Sequence, residues 1–271
     1  MTRHIVCLGL GSNLGNRAAT LNGAIERLGE MKGIDVEGVS SFHETKPVGG
    51  PSGQRTFLNA ASRIVAEQNP LELLNICREI ESWYDRSREV HWGPRTLDID
   101  ILLFGDHRVD LPELIIPHPR MMIRRFVLAP LAEIAGEIVE PLTGQTIAEL
   151  LARLDRKPNL VLLSKTWPES IREVAFERLK RQFGAVVIRE ETDAVFEAIG
   201  EPDLIVCEDW NESVSPRFQT RLGRNVEPTF AIGPFSYEHS LGTSIPTVRI
   251  DREDPETIVK EIVAACAAIR G

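Results

Sequence analysis

The 271-residue sequence predicts an α+β protein in two parts. The first is a ferredoxin-like β-α-β-β-α-β core with extra helices over residues 1–155; a smaller α/β, Rossmann-like domain fills residues 156–271. Three observations carry this. Apolar runs with the period of strands and of helices follow one another in the order β-α-β-β-α-β as far as Phe104. The polar stretch Asp155-Arg156-Lys157-Pro158 then ends in a helix-stopping residue and marks a boundary. Beyond it, strand and helix patterns alternate, as they do around a parallel sheet.

In the first part, residues 4–10 (HIVCLGL) read as a buried strand, and GSNLGNR (11–17) as a tight turn exposing Ser12 and Asn13. Ala18, Leu21, Ala24, Ile25 and Leu28 recur at helical spacing. Residues 36–44 form a β-rich run ending at Thr45, and residues 46–55, with three glycines and two prolines, form a loop. Residues 57–66 are the third strand. Asn69-Pro70 opens a second helix whose partly polar face carries Leu71, Leu74, Cys77, Arg78, Glu81 and Tyr84. A charged loop over residues 85–95 leads into a strand at 96–104, and both helices are expected on one face of an antiparallel sheet. A short hairpin around 105–109, the loop LPELIIPHPRM, and helices near 124–135 and 146–154 complete this part.

In the second part, strands are expected at 160–163, 185–188, 204–207, 230–232 and 247–250. Helices are expected at 169–183 and 193–199, and from Asp254-Pro255 to Ile269.

Composition narrows the function. With 42% hydrophobic and 26% charged residues the chain is globular, and its formal charge of −9, with neither part basic, argues against gripping nucleic acid. No apolar run approaches the ~20 residues of a membrane span, and the first apolar run is too short for a signal peptide. The four cysteines form no CxxC pair, so reduced thiols in a cytoplasmic protein are expected.

Gly9-Leu10-Gly11-Ser12-Asn13-Leu14-Gly15 only imitates a dinucleotide fingerprint, because its last glycine falls one residue late. The stronger signal is WGPRTLDIDILLFG (92–105). On a strand, Leu97, Ile99 and Ile101 point one way; Asp98 and Asp100 point the other, with Cα atoms about 7 Å apart. Alone, this is a solvated polar face. With Arg95 beside it and Arg86, Arg88 and Trp92 in the preceding loop, the pair suits Mg2+ and polyphosphate.

GSNLGNR, ETKPVGG (44–50), FLNAA (57–61), Glu81 followed by Arg86 and Arg88, GPRTLDIDILLFG (93–105) and PHPRMMIRRFVLAPL (117–131) occur in this order. Together they resemble the 6-hydroxymethyl-7,8-dihydropterin pyrophosphokinases of folate biosynthesis, over residues 4 to about 154. The resemblance implies transfer of the terminal pyrophosphate of ATP to the pterin's hydroxymethyl oxygen, releasing AMP, with two Mg2+ ions held by Asp98 and Asp100. It implies catalytic roles for Arg86 and Arg95, and ATP contacts from Arg78, Glu81, Arg88, His118 and Arg124. It implies a pterin pocket of Thr45, Val48, Phe57, Asn59, Trp92 and Phe126. Read alone, Phe57 and Phe126 would be core residues, and Phe57 and Asn59 share a strand face by the period of two. Pro119 and His91 depart from the residues common in that family.

Two other readings stay open: another metal-dependent nucleotidyl or phosphoryl transferase, and a non-catalytic pterin or nucleotide binder. The second part has no G-x-x-x-x-G-K-[ST], and the resemblance does not reach it. A degenerate or oligomerising domain, through which the chain would form a homo-oligomer, is the expectation there.

Overall fold

Alternate residues of β1 (His4–Ser12) have different fates: Val6, Leu8 and Leu10 are buried in the core, while Gly9 and Gly11 line the opposite face. The computed structural model describes residues 2–48, 53–84, 95–156, 159–164, 166–188, 204–207, 230–233, 247–250 and 254–269. The chain divides into two compact units, Met1–Leu151 and Ala152–Arg270.

The first unit is α+β, built on an antiparallel sheet. Its order is β2 (Ile34–Val39), β4 (Phe57–Ala66), β1, β5 (Asp98–Phe104), with β3 (His43–Thr45) also paired to β4. Two capped helices supply the core. In α1 (Arg17–Glu30) the Asn16 side chain accepts from the Ala19 N–H. In α2 (Pro70–Ser82) Asn69 and Glu72 form a reciprocal capping box, with Pro70 in the first turn. Leu21, Ala24 and Leu28 of α1 and Leu73, Cys77 and Ile80 of α2 pack with Leu8, Leu10, Ile64, Ile99 and Ile101 in one apolar cluster. Nearly every side chain of that cluster is out of water, and this burial drives the two helices onto the sheet.

The other face receives α3 (Arg125–Ala135). Glu133 of α3 accepts from the N–H and hydroxyl of Ser41, and Ile134 lies over Gly38. The rest of the unit is the hairpin β6 (Val109–Leu111) and β7 (Leu114–Ile116), a 3-10 turn at Met121–Ile123, and the start of α4 (Ile147–Asp155).

Four local expectations are corrected. The β-rich run at 36–44 is two strands, because Ser40 leaves the regular ladder: its N–H and Oγ bond Ala61 before β3 resumes. The buried stripe of α2 is Leu73, Cys77, Ile80 and Glu81, and Leu71 faces solvent. The hairpin is β6–β7, inside the stretch expected to be a loop. Ser12 and Asn13 are not exposed: both have 0% of their surface accessible.

The second unit holds a parallel sheet in the order β12 (Thr247–Arg249), β11 (Phe230–Gly233), β8 (Asn159–Leu163), β10 (Leu204–Cys207), β9 (Val186–Ile188). Counted within the unit, the third strand, not the second, lies beside the first, which differs from the usual dinucleotide-binding order. Helix α5 (Glu169–Phe183) ends at Gly184, whose φ of 63° closes the last turn, and α6 (Pro255–Ala268) starts on an Asp254 cap. The helix expected at 193–199 lies outside the described residues. Cys7, Cys77 and Cys266 are free buried thiols. Among the described residues no helix is long and apolar enough to cross a membrane.

Candidate active site

Cross-strand register assembles the site on the sheet face that α1 and α2 leave free. Gly11 pairs with Asn59 on one side and Asp98 on the other, and Gly9 pairs with Ala61 and Asp100. Directly paired residues share a face. The row His43, Asn59, Gly11, Asp98 therefore runs across four strands. Asn59 and Phe57 both crowd Gly11: an added Cβ would sit 3.3 Å from Asn59 Oδ1 and 3.9 Å from the Phe57 ring. Gly11 is itself buried, and having no side chain it leaves room for Asn59 Oδ1 beside the Asp98 position on the same sheet face.

At the uncharged end, Asn59 is buried and its Nδ2 donates to Thr45 Oγ1 at 2.8 Å, which leaves Oδ1 directed over Gly11. Phe57 and Val48 are half-buried close by in sequence.

At the charged end, Asp98 and Asp100 alternate with the buried Ile99 and Ile101, as expected. Their side chains are 18% and 41% exposed, so a ligand reaches both. Arg95 Nη1 pairs with Asp98 Oδ2. His118 Nε2 lies 3.9 Å from Asp100 Oδ2, and its backbone N–H donates to Leu102 O, which fastens the loop after β7 to β5. Removal from water, helped by the cations Arg124 and Arg120, holds the His118 imidazole down at about 3, so it is neutral at ordinary pH. Burial likewise lowers Arg124 to about 10, against the pull of Asp100. Arg124 remains charged, with its guanidinium 5.6 Å from the centre of the Phe126 ring.

Behind this face, Glu81 is almost completely buried and its Oε1 accepts the Ile99 N–H at 2.8 Å. Ile99 stands between the two aspartates on the edge strand, so α2 clips β5 at the point where the carboxylates project. One turn earlier, Arg78 Nε is buried with no hydrogen-bond acceptor among the described residues.

The residues fit Mg2+. Two hard carboxylates, Asp98 and Asp100, share one face. Mg2+ commonly takes one or two protein carboxylates and completes its shell with phosphate and water.

A family model, 7,8-dihydro-6-hydroxymethylpterin-pyrophosphokinase (HPPK), matches residues 7–136. The 2-amino-4-hydroxy-6-hydroxymethyldihydropteridine pyrophosphokinase of Bacillus subtilis is 46% identical over 141 residues, covering 52% of this chain and 84% of that protein. The chain belongs to the HPPK family. The Methylorubrum extorquens protein of the same name is 46% identical over 148 residues, 55% of this chain and 92% of its own length. A crystal structure of Plasmodium falciparum HPPK-DHPS with pteroate aligns with 97% of this chain and 80% of that one. Its 14% identity and TM-score of 0.44 carry nothing to the second unit. The HPPK match ends at residue 136, inside the first unit.

Of the residues expected at an HPPK site, Asp98, Asp100, Arg95, His118 and Arg124 meet through ion pairing or electrostatic reach, and Phe57, Asn59 and Thr45 meet across β3, β4 and Gly11. Phe126 sits under Arg124. Arg86, Arg88 and Trp92 lie outside the described residues. Sequence reasoning missed Gly9 and Gly11. Their signal was present, two glycines at alternate positions of one strand, but it was absorbed into a turn motif.

Proposed function

We propose that the sheet face of the first unit transfers the terminal pyrophosphate of ATP to the hydroxymethyl oxygen of 6-hydroxymethyl-7,8-dihydropterin. The hydroxyl oxygen bonds to the β-phosphorus and gives up its proton to water, the bridge to the α-phosphorus breaks, and AMP leaves with the bridging oxygen. The observation that carries this reading is the row Asn59, Gly11, Asp98, which brings an amide and a carboxylate onto one sheet face with only a glycine between them.

In this reading the pterin sets its hydrogen-bonding edge on Asn59 Oδ1, between Phe57 and Phe126 and bounded by Thr45, Val48 and Trp92. Asp98 and Asp100 hold two Mg2+ ions, which neutralise the polyphosphate. Arg95, Arg124 and neutral His118 contact phosphate, and Arg86 and Arg88 are given phosphate contacts by the family resemblance. The unsatisfied Arg78 Nε supports a place for Arg78 beside ATP. Glu81 contributes by fixing β5. The strand order β2-β4-β1-β5 supports a ferredoxin-like description of a catalytic domain at residues 1–155. Residues 156–271 form a separate α/β module, for which we propose a role in association rather than chemistry.

The test is product analysis with ATP labelled at the α-phosphate. Pterin-dependent appearance of AMP and a pterin diphosphate is expected. Labelled ADP would mean a simple kinase. Unlabelled pyrophosphate, with the label moved to the acceptor, would mean a nucleotidyltransferase.

A further inference from the structure

The turn after β1 is more heavily bonded than a connection requires. Asn13 is fully buried, and its Oδ1 accepts the Arg95 N–H at 2.7 Å while its own N–H donates to Arg95 O at 3.0 Å. The other end of the same amide, Nδ2, points at Gln54 Oε1 (3.4 Å) and Arg55 O (3.5 Å), both at the long end of hydrogen bonding. The amide cannot be turned round: a backbone N–H faces its oxygen and a carbonyl faces its nitrogen. Four residues on, Arg17 Nη1 donates to Glu44 Oε1 at 2.8 Å and to Thr56 O and Oγ1, each at 2.9 Å.

These bonds join two sides of the site. Residues 54–56 run straight into Phe57 and Asn59. Arg95 pairs with Asp98 and leads into β5. We infer that Asn13 is a positioning residue that couples the pterin side to the phosphate side, so that occupancy of one changes affinity at the other. The inference rests on the pyrophosphokinase reading above. A single amide bonded at both ends to different segments cannot follow one segment without loosening its hold on the other. A ligand that fixes Arg95 therefore biases where residues 54–56 stand, and linkage makes the effect reciprocal. Among the described residues Arg17 bonds only the pterin-side segments, so it lacks this property.

The experiment measures the dissociation constant of fluorescent 6-hydroxymethylpterin without and with saturating Mg2+ and α,β-methylene-ATP, whose α–β bridge cannot be cleaved. The wild-type ratio is expected to be about fivefold or more, the lower range of ordinary coupling. Asn13→Asp keeps the acceptor for Arg95 N–H but sets a carboxylate oxygen against Arg55 O. Its ratio should fall to within about twofold of unity while circular dichroism shows a folded protein. Arg17→Met should weaken pterin binding and keep the wild-type ratio, a split that general loosening would not produce.

A wild-type ratio near one, an unchanged ratio in Asn13→Asp, or an equal fall in Arg17→Met would each overturn the inference. Should Asn13→Asp not fold, Gln54→Ala removes an acceptor at the surface; a reduced ratio supports the coupling and an unchanged one overturns it. Wild-type AMP formation is assayed alongside. Its absence would mean that the pyrophosphokinase reading has failed, whereas AMP formation without coupling would sink only the role of Asn13.

Discussion

Both units of this chain contain a five-stranded sheet, and in the reading proposed above the chemistry stands on the strands of the first. In the antiparallel sheet, one face is packed by α1 and α2, and part of the other carries Asn59, Gly11, Asp98 and Asp100. Function there is written with a period of two, inside continuous segments. The parallel sheet is covered differently. α5 and α6 bury Ile171, Phe176, Leu179, Ile258 and Ile262, and strands such as β8 and β10 bury Val161, Leu163, Ile205 and Val206. Ligands of such sheets bind beyond the strand ends, in loops that come from separate parts of the chain. Short-range pattern therefore reveals the first kind of site and conceals the second.

The largest expected effect falls on the charged end of the first sheet. Asp98→Ala and Asp100→Ala should each reduce turnover by roughly 100-fold or more, because the polyphosphate loses its counter-charge. Melting temperatures should change little, since both side chains point away from the core. Near-normal turnover at millimolar Mg2+ would remove the metal role from this face.

At the uncharged end the effect should be smaller and of another kind. Asn59→Ala deletes the amide that Thr45 orients, so the KM for the pterin should rise about tenfold, with turnover falling less. A loss confined to turnover would place Asn59 outside the pterin pocket. Gly11→Ala is milder still. The new methyl group would press on Asn59 Oδ1 from 3.3 Å and move it by a few tenths of an ångström. The expected outcome is about a threefold rise in the same KM, within the spread of a strained hydrogen bond. An unchanged KM would show that the ligand does not depend on the placing of Asn59 Oδ1.

His118 offers a test without substrate. The folded imidazole is held at about 3, whereas in the unfolded chain it titrates at its ordinary 6.5. Between those values the unfolded chain binds the extra proton, so stability must fall as pH drops from 6.5 toward 3. In EDTA, denaturant unfolding of His118→Gln should show a flatter decline from pH 7 to 5 than wild type. Parallel declines would mean that His118 is hydrated and chargeable in the folded protein.

The same contrast explains what could be read in advance. The two aspartates, the pairing of Phe57 with Asn59 on one face, and the helix openings at Asn69-Pro70 and Asp254-Pro255 are local, and the structure has them as expected. Register is not local: that Gly11 stands between Asn59 and Asp98 depends on how β4 and β5 align against β1. Ser12 and Asn13, small and polar, read as an exposed turn. Partners 41 to 82 residues away in sequence bring Asn13 inside. Glu81 read only as part of a partly polar helix face, because the N–H it accepts belongs to the edge of another element. In the second unit the strand positions were legible from their apolar runs, while the order of the strands was not, for the same reason of distance.

The most direct test of the claim that the chemistry belongs to the first sheet is AMP formation by a fragment of residues 1–156 beside the full chain, with light scattering on both. All the expected site residues precede Ala129, and the family match ends at residue 136. The fragment is therefore predicted to fold and to form AMP within about tenfold of the full-length rate, the change appearing in association state, as for a module with its own core. A fragment that is folded by circular dichroism yet forms no AMP would contradict the account and make the second unit part of the active site.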